Sequence, residues 1–373
     1  MAATYRVALI GRTGRGNYGH YMDRAWRLIP NAEVVAVADP DATGRSAAMQ
    51  QSGAARSYTA FDEMLRQERP DIVGVCPRYP DCHEEMILAA IDAGARGVYC
   101  EKPFVRTLAE ADRVIHAAEA AGVKIQVMHS GRLDPSMRHA RALVKKGVIG
   151  ALYTLRAYGK SGARGGGQDL MVLGVHMMDN LRQFAGDPLA VSAEVLQSGR
   201  DVGPRDIHAG DEEIGLIAGN QIIASYLFEH GVVGVFDSRE GAPEQRAGLD
   251  LVGSEGLLTL RGGLGIYRRP YVDVTSDLGW ERIPVPDSGD GLGAKPAVPE
   301  DRYLHANTRM LRDLLDAVET RRQPVCSAYD GRWTIEMVMG AHVAGMSHKR
   351  EAFPLTMRDN PYVTRQRQAL VDV

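Results

Sequence analysis

The chain has 373 residues, of which 45% are hydrophobic and 24% charged, and a formal net charge of −3. This length allows two domains of ordinary size, and the charge excludes a basic footprint for nucleic acid or an anionic membrane surface. No apolar run reaches the roughly 20 residues a membrane-spanning helix needs, and Cys76, Cys82, Cys100 and Cys326 lack the close pairing of a metal site, so no metal is expected.

The opening "MAATYRVALIG" enters a strand almost at once, leaving no room for a signal peptide. With cysteines read as buried thiols, this predicts a cytoplasmic protein. Strands are predicted at Tyr5–Ile10, Glu33–Asp39, Ala55–Ala60 and Asp71–Cys76, then at "GVYCE" from Gly97 and "VKIQVM" from Val123. Helices are predicted near Tyr18–Leu28, at about Asp81–Ala93, and from Thr107 to a stop at Gly122, where Thr107 and Glu110 have capping-box spacing. Strands alternating with helices at this spacing predict a doubly wound parallel sheet, a Rossmann domain over residues 1–128.

The pattern then changes, and residues 129–355 read as an α+β domain. Asp134 caps a helix that has Pro135 at its first position and Gly147 as its stop. A glycine-rich loop precedes one predicted helix, "DLMVLGVHMMDNLRQFAG". Strand-like runs follow: "AVSAEVLQ", "IGLIAGNQIIASYLFE", "GVVGVFDS", "AGLDLVG" and "GLLTLRGG". Their Gly-Asn, His-Gly and Ser-Glu-Gly turns suit a mainly antiparallel sheet. Pro284–Glu300 reads as a long mobile loop, Tyr303–Arg321 and Tyr329–Met346 as helices, and 356–373 as an irregular tail.

"ALIGRTGRGNYGH" contains a literal G-x-G-x-x-G at Gly14, Gly16 and Gly19. The strand ends at Ile10, however, so the tight turn should begin at Gly11. The working glycines are then Gly11, Gly14 and Gly16, with one extra residue in the first gap. Glycines let backbone approach a pyrophosphate at a helix N-terminus. Thr13 lies in the same loop, and Arg12 or Arg15 adds positive charge. Asp39 ends the second strand about 20 residues on, as a dinucleotide fingerprint requires. Its carboxylate can accept both ribose hydroxyls of NAD and repels a 2′-phosphate. Arg45 keeps NADP open as the less favoured cofactor.

"GVYCEKPF" ends a buried strand with Glu101 and Lys102 before Pro103, which cannot continue a ladder. With "GVHMMDNL", "AAIDAGARGVYCEKP", "GSEGLLTL" and "DGRWTIEMV", this chain resembles the Gfo/Idh/MocA oxidoreductase family over nearly its whole length. The resemblance implies that Lys102 lies beside nicotinamide and the substrate hydroxyl as the acid/base. A like charge and partial burial would lower its pKa to a useful value. It also implies that His176 is the partner of Lys102 or a hydrogen-bond donor to substrate, and that Arg78, His83 and Glu101 belong with the cofactor residues. His83, at its helix start, reads more as structural than as catalytic. The alternative for Lys102 is a rim pair with Glu101; for His176 it is a hydrogen-bonded core histidine.

Two positions depart from the family pattern. An Asp usually precedes the histidine by one turn, and here that residue is Val172. Asp179, one turn after His176, or Asp169 is then the expected support. The usual Thr-Pro-Asn turn reads Arg78-Tyr79-Pro80. Substrate contacts are expected from His129, Arg132, Lys160 and Arg164, each of which has the alternative of an ordinary surface charge. The resemblance further implies an open sheet in the second domain that packs sheet to sheet in a homodimer or homotetramer. The expected function is NAD(H)-dependent hydride transfer at a secondary hydroxyl of a sugar, glycoside or cyclitol. Two rivals are an enzyme that retains NAD for transient oxidation and glycoside cleavage, and a non-catalytic dinucleotide- or sugar-sensing regulator.

Overall fold

Six strands form a parallel sheet: β1 (Tyr5–Ile10), β2 (Ala32–Ala38), β3 (Arg56–Tyr58), β4 (Ile72–Val75), β5 (Gly97–Cys100) and β6 (Lys124–Val127), in the order β3-β2-β1-β4-β5-β6. Helices α1 (Ala42–Ser52), α2 (Phe61–Glu68), α3 (His83–Asp92) and α4 (Leu108–Ala121) lie between successive strands. Every residue of β4 and β5 is buried, as a sheet covered on both faces requires, which is why these strands read as unbroken apolar runs. The Thr107–Glu110 capping box forms as predicted, and Gly122 ends α4 at φ 72°. The structure is a computed structural model and describes residues 4–242, 248–261, 265–271, 279–292 and 299–363.

The remaining strands build a second sheet. After α5 (Pro135–Lys145) come β7 (Leu152–Tyr158), α6 (Gly167–Val172), α7 (Gly174–Ala185), β8 (Ala190–Gln197) and β9 (Arg200–Asp201). The short pair β10 (His208–Ala209) and β11 (Leu216–Ile217) stands apart from this sheet. Then follow β12 (Gln221–Leu227), β13 (Val233–Arg239), β14 (Gly248–Gly253), β15 (Gly256–Arg261), β16 (Gly265–Pro270) and β17 (Glu281–Ile283). Two helices, α8 (Pro299–Thr320) and α9 (Ala328–Ser347), precede the last strand, β18 (Glu351–Ala352). The ten-stranded sheet runs β17-β16-β15-β14-β7-β13-β12-β8-β18, with β9 against β8. Only the β7–β13 pairing is parallel among the described pairings of this sheet. Burial alternates along it: Ile222, Ala224, Tyr226 and Phe236 are buried, while their neighbours are not. The other face carries a polar ladder in which the Tyr158 hydroxyl donates to Asp250 (2.6 Å), Arg261 pairs with Asp250 (2.8 Å) and Arg156 with Asp237 (2.5 Å).

Packing separates two units. The first takes Met1–Leu133, Glu212–Ile214 and Lys295–Arg332; the second takes Asp134–Asp211, Gly215–Ala294 and Trp333–Val373. A division at residue 128 leaves α8 out of the first unit. The physical reason is that β5 and β6 need a cover. Tyr99 on β5 donates to Asn307, Gln126 on β6 donates to the Met310 carbonyl (2.9 Å), and Leu314 and Val318 crowd the place where Gly97 lacks a side chain.

Three local expectations change. Tyr18–Leu28 is not an α-helix but two 3₁₀ turns, Gly19–Tyr21 and Ala25–Leu28. Asn17, His20 and Tyr21 have φ of 54°, 47° and 61°, and the Gly19 amide is committed to Cys76 O across the sheet (2.8 Å). "DLMVLGVHMMDNLRQFAG" breaks at Leu173 into α6 and α7. The expected tail packs at least as far as Tyr362, which is fully buried and bonded through its hydroxyl to His342 Nδ1 (2.9 Å). The rest of it, and part of the Pro284–Glu300 loop, lie outside the described residues. Among the described residues no helix is long and apolar enough to cross a membrane.

Candidate active site

The site is built at the carboxyl ends of the first unit's strands, the position an α/β sheet favours because its faces are covered. The glycine loop leaves β1 at Gly11, whose amide donates to Ala38 O (2.9 Å). Gly14 has φ +82° and open space where a side chain would stand. Gly16, at φ +86°, lies so close to Arg78 that a Cβ would be 2.5 Å from the Arg78 amide nitrogen. The fourth glycine also matters: a Cβ at Gly19 would fall 2.1 Å from a Glu101 oxygen. Position 19 thus needs a glycine to make room for the Glu101 carboxylate, a packing constraint separate from the Gly11, Gly14 and Gly16 turn.

Asp39 is fully buried at the end of β2. Its carboxylate accepts from the Thr13 amide (3.1 and 3.2 Å), the Thr13 hydroxyl (2.8 Å) and the Asp41 amide (2.9 Å). Arg45 donates to the Asp39 carbonyl (2.5 Å). Arg15 pairs with Asp81 (2.8 Å) and Glu213 (3.1 Å), and Arg12 approaches the same Asp81 (4.0 Å). Asp81 escaped the sequence reading because nothing local ties it to a loop 66 residues away. These residues fit a dinucleotide: a glycine turn open at Gly14, two arginines beside it and a buried carboxylate at the end of β2. One element differs. The α-helix whose N-terminus usually faces the pyrophosphate is replaced here by the two 3₁₀ turns Gly19–Tyr21 and Ala25–Leu28.

At the end of β5, Glu101 is fully buried and Lys102 nearly so (7% exposed). One Glu101 oxygen accepts the Lys102 amide (2.6 Å) and the other meets His20 Nδ1. Burial pushes the Glu101 carboxyl up, but His20 and Lys102 outweigh it and hold the group below its ordinary range. His20 was missed by sequence reading because it lies in the segment predicted as helix. His83 is fully buried, with Nδ1 on Phe104 O (3.0 Å) and Nε2 on Pro77 O (2.7 Å). Placed among the cofactor residues in the sequence, it instead ties two loop backbones together. Arg132 is likewise corrected: it donates to Val325 O (2.7 Å) and pairs with Asp330 (2.9 Å), a structural anchor rather than a substrate contact. His129 is 1% exposed in the whole chain.

In the second unit, His176 is half-buried on α7 and Asp179 is buried one turn on, accepting from Gln183 Nε2 (2.8 Å). Val172 is buried at the end of α6. Asp169, expected as catalytic support, is engaged elsewhere. Its Oδ2 accepts from the Ser238 hydroxyl (2.6 Å) and the Ser161 amide (3.1 Å), fastening the glycine-rich loop, and burial pushes its pKa up. Lys160 and Arg164 stand exposed on that loop.

A doubly wound parallel sheet with a glycine-rich first turn, a buried Asp after β2 and Glu-Lys-Pro after β5 defines a dinucleotide-dependent oxidoreductase. Residues 5–129 match the sequence model of the Gfo/Idh/MocA group, described as "Oxidoreductase family, NAD-binding Rossmann fold". It is 28% identical to inositol 2-dehydrogenase 3 of Saccharopolyspora erythraea, over 96% of this chain and 97% of the relative. It is 29% identical to D-apiose dehydrogenase of Paraburkholderia graminis, over 75% of each. The solved complex of levoglucosan dehydrogenase with NADH and levoglucosan shares the fold at a TM-score of 0.75 and 17% identity, covering 94% of this chain and 100% of that one.

Proposed function

We propose that this enzyme is an NAD(H)-dependent dehydrogenase acting on a secondary hydroxyl of a sugar, glycoside or cyclitol. The observation that carries the reading is the Glu101–Lys102 pair, buried at the end of β5, with Glu101 packed against Gly19. Bound nicotinamide supplies the hydride acceptor. The chain's own residues do the rest. Lys102 takes the hydroxyl proton as the alcohol is oxidised and returns it in reduction. Glu101 fixes the Lys102 backbone, and Asp39 favours a ribose with a free 2′-hydroxyl over a 2′-phosphate. His176 serves as the second polar contact to substrate.

The names of the relatives support the substrate class: inositol, D-apiose and levoglucosan. The outer face of the ten-stranded sheet, with a groove of about 450 Å³ lined by Asp250, Leu257, Thr259, Arg261, Tyr267 and Trp280, supports a homodimer or homotetramer packed through that face. Four buried free thiols accord with a reducing cytoplasm. The test is calorimetric titration with NAD and NADP, then NADH formation with myo-inositol, D-apiose and levoglucosan. Tighter binding of NADP, or no oxidation of any polyol by protein that binds NAD, overturns the reading.

A further inference from the structure

The residue of the first unit that bears on Glu101 from outside its own loop is His20. It sits in the left-handed region in the stretch that replaces the expected helix, a conformation that a non-glycine residue keeps only when its surroundings enforce it. The enforcement is visible. Asn307 on α8 donates to the His20 carbonyl (2.7 Å), and Asn307 in turn accepts from the Tyr99 hydroxyl. The His20 ring leans on Tyr303, with centroids 5.2 Å apart. So held, Nδ1 meets Glu101 Oε1, while Oε2 takes the Lys102 amide (2.6 Å). Only a glycine at position 19 leaves room for that carboxylate. His20 and Lys102 are the groups that pull the Glu101 carboxyl below its ordinary range. The other titratable groups near it, Cys76 on β4 and Tyr99 and Cys100 on β5, are kept neutral by burial.

We propose that His20 is a positioning residue for proton transfer at Lys102: its ring holds the buried Glu101 carboxylate in place as an anion, and that carboxylate fixes the backbone from which Lys102 projects. The proposal rests on the reading of Lys102 as the acid/base. It also gives a purpose to the left-handed backbone at His20, where Asn307 holds the carbonyl and Tyr303 backs the ring.

The experiment compares wild type, His20→Gly, His20→Asn and Lys102→Ala. Glycine keeps the left-handed backbone and removes the ring; asparagine tolerates that backbone and restores a neutral donor. In cofactor-free protein labelled with ¹³C-glutamate, the Glu101 carboxyl resonance, assigned with Glu101→Gln, is followed from the lowest pH at which the protein stays folded up to pH 8. We expect it to titrate at least about one pH unit higher in His20→Gly than in wild type, with His20→Asn between them. With whichever of myo-inositol, D-apiose or levoglucosan the wild type oxidises, kcat of His20→Gly should fall about tenfold while NAD affinity changes less than about threefold, and His20→Asn should recover part of the loss. An unchanged Glu101 titration overturns the proposal. So does wild-type kcat in His20→Gly when Lys102→Ala is inactive, and so does an equal loss of kcat and NAD affinity that asparagine does not rescue. If Lys102→Ala itself keeps wild-type kcat, the reading of Lys102 has failed, and the carboxyl titration still measures the His20–Glu101 pair by itself.

Discussion

The parallel sheet of the first unit is buried on both faces, whereas the ten-stranded sheet of the second buries one set of side chains and sets a polar ladder on the other. The difference decides where each unit can do chemistry. A sheet covered on both faces has only strand ends to offer, and the first unit puts Asp39, Glu101 and Lys102 there. An open antiparallel sheet has a face to offer, suited to a partner surface. The two units also bury opposite titratable groups. Asp23, in the irregular segment after the glycine loop, has its pKa pushed up to about 6 by burial. His342, on α9 against Tyr362, has its pKa pushed down to about 4, also by burial.

The largest effect we expect tests the two faces of the second sheet. Phe236→Ala, on the buried face, should cost about 3–5 kcal/mol of stability from lost burial and the cavity left behind. Tyr158→Phe, on the ladder, removes a hydrogen bond to Asp250 and should cost about 1 kcal/mol or less. Urea denaturation of both variants measures the contrast, and equal losses would mean that the ladder face is packed as a core.

Next comes pH. Unfolded His342 gains its proton near 6.5 and the folded residue only near 4, so the stability it contributes is complete above pH 6.5 and is lost as pH falls to 4. Asp23 runs the other way: its contribution is complete below pH 3.8 and is lost as pH rises to about 6. At 1.36 kcal/mol per pKa unit each effect is about 3 kcal/mol. Melting curves at pH 4.5 and 7.5 should show His342→Gln relieving the acid-side loss and Asp23→Asn the loss at higher pH. A wild-type slope that neither variant changes would remove both assignments.

Lys102→Ala should lower turnover at least about 100-fold, or ~2.7 kcal/mol, with NAD binding nearly intact. His176→Ala should cost less, and Val172→Asp should bring no gain, because Val172 is buried where a new carboxylate would pay for desolvation. Steady-state kinetics of the three on one substrate ranks them; a His176→Ala loss as large as that of Lys102→Ala makes the histidine the principal base. The smallest effect concerns the cofactor. Asp39→Ser should narrow the preference for NAD over NADP by about tenfold, ~1.4 kcal/mol, as a charge facing the 2′-phosphate is removed. Titration with both cofactors measures it, and an unchanged ratio would mean that Thr13 or Arg45 sets the preference instead.

What the sequence determined by itself were the features with short-range signatures. Alternating apolar runs and helical periods gave the doubly wound sheet, because strand and helix periods are local. The Thr107–Glu110 cap, the glycine turn after β1, Asp39 at the end of β2 and Glu-Lys-Pro at the end of β5 were legible because each has a fixed spacing from its own element. Tertiary structure decided the rest. It withheld the helix after the glycine loop, since the Gly19 amide bonds Cys76 and not a carbonyl one turn back. It brought α8 over β5 and β6, about 200 residues away in sequence, because those strands needed an apolar cover. It gave Asp169 to the Ser161–Ser238 loop, Arg132 to Asp330 and His83 to two backbone carbonyls, so that three residues whose types suit chemistry hold loops in place instead. And it set His20 against Glu101, 81 residues apart. A side chain's type states which bonds it can make, but only the folded chain settles which partner reaches it first.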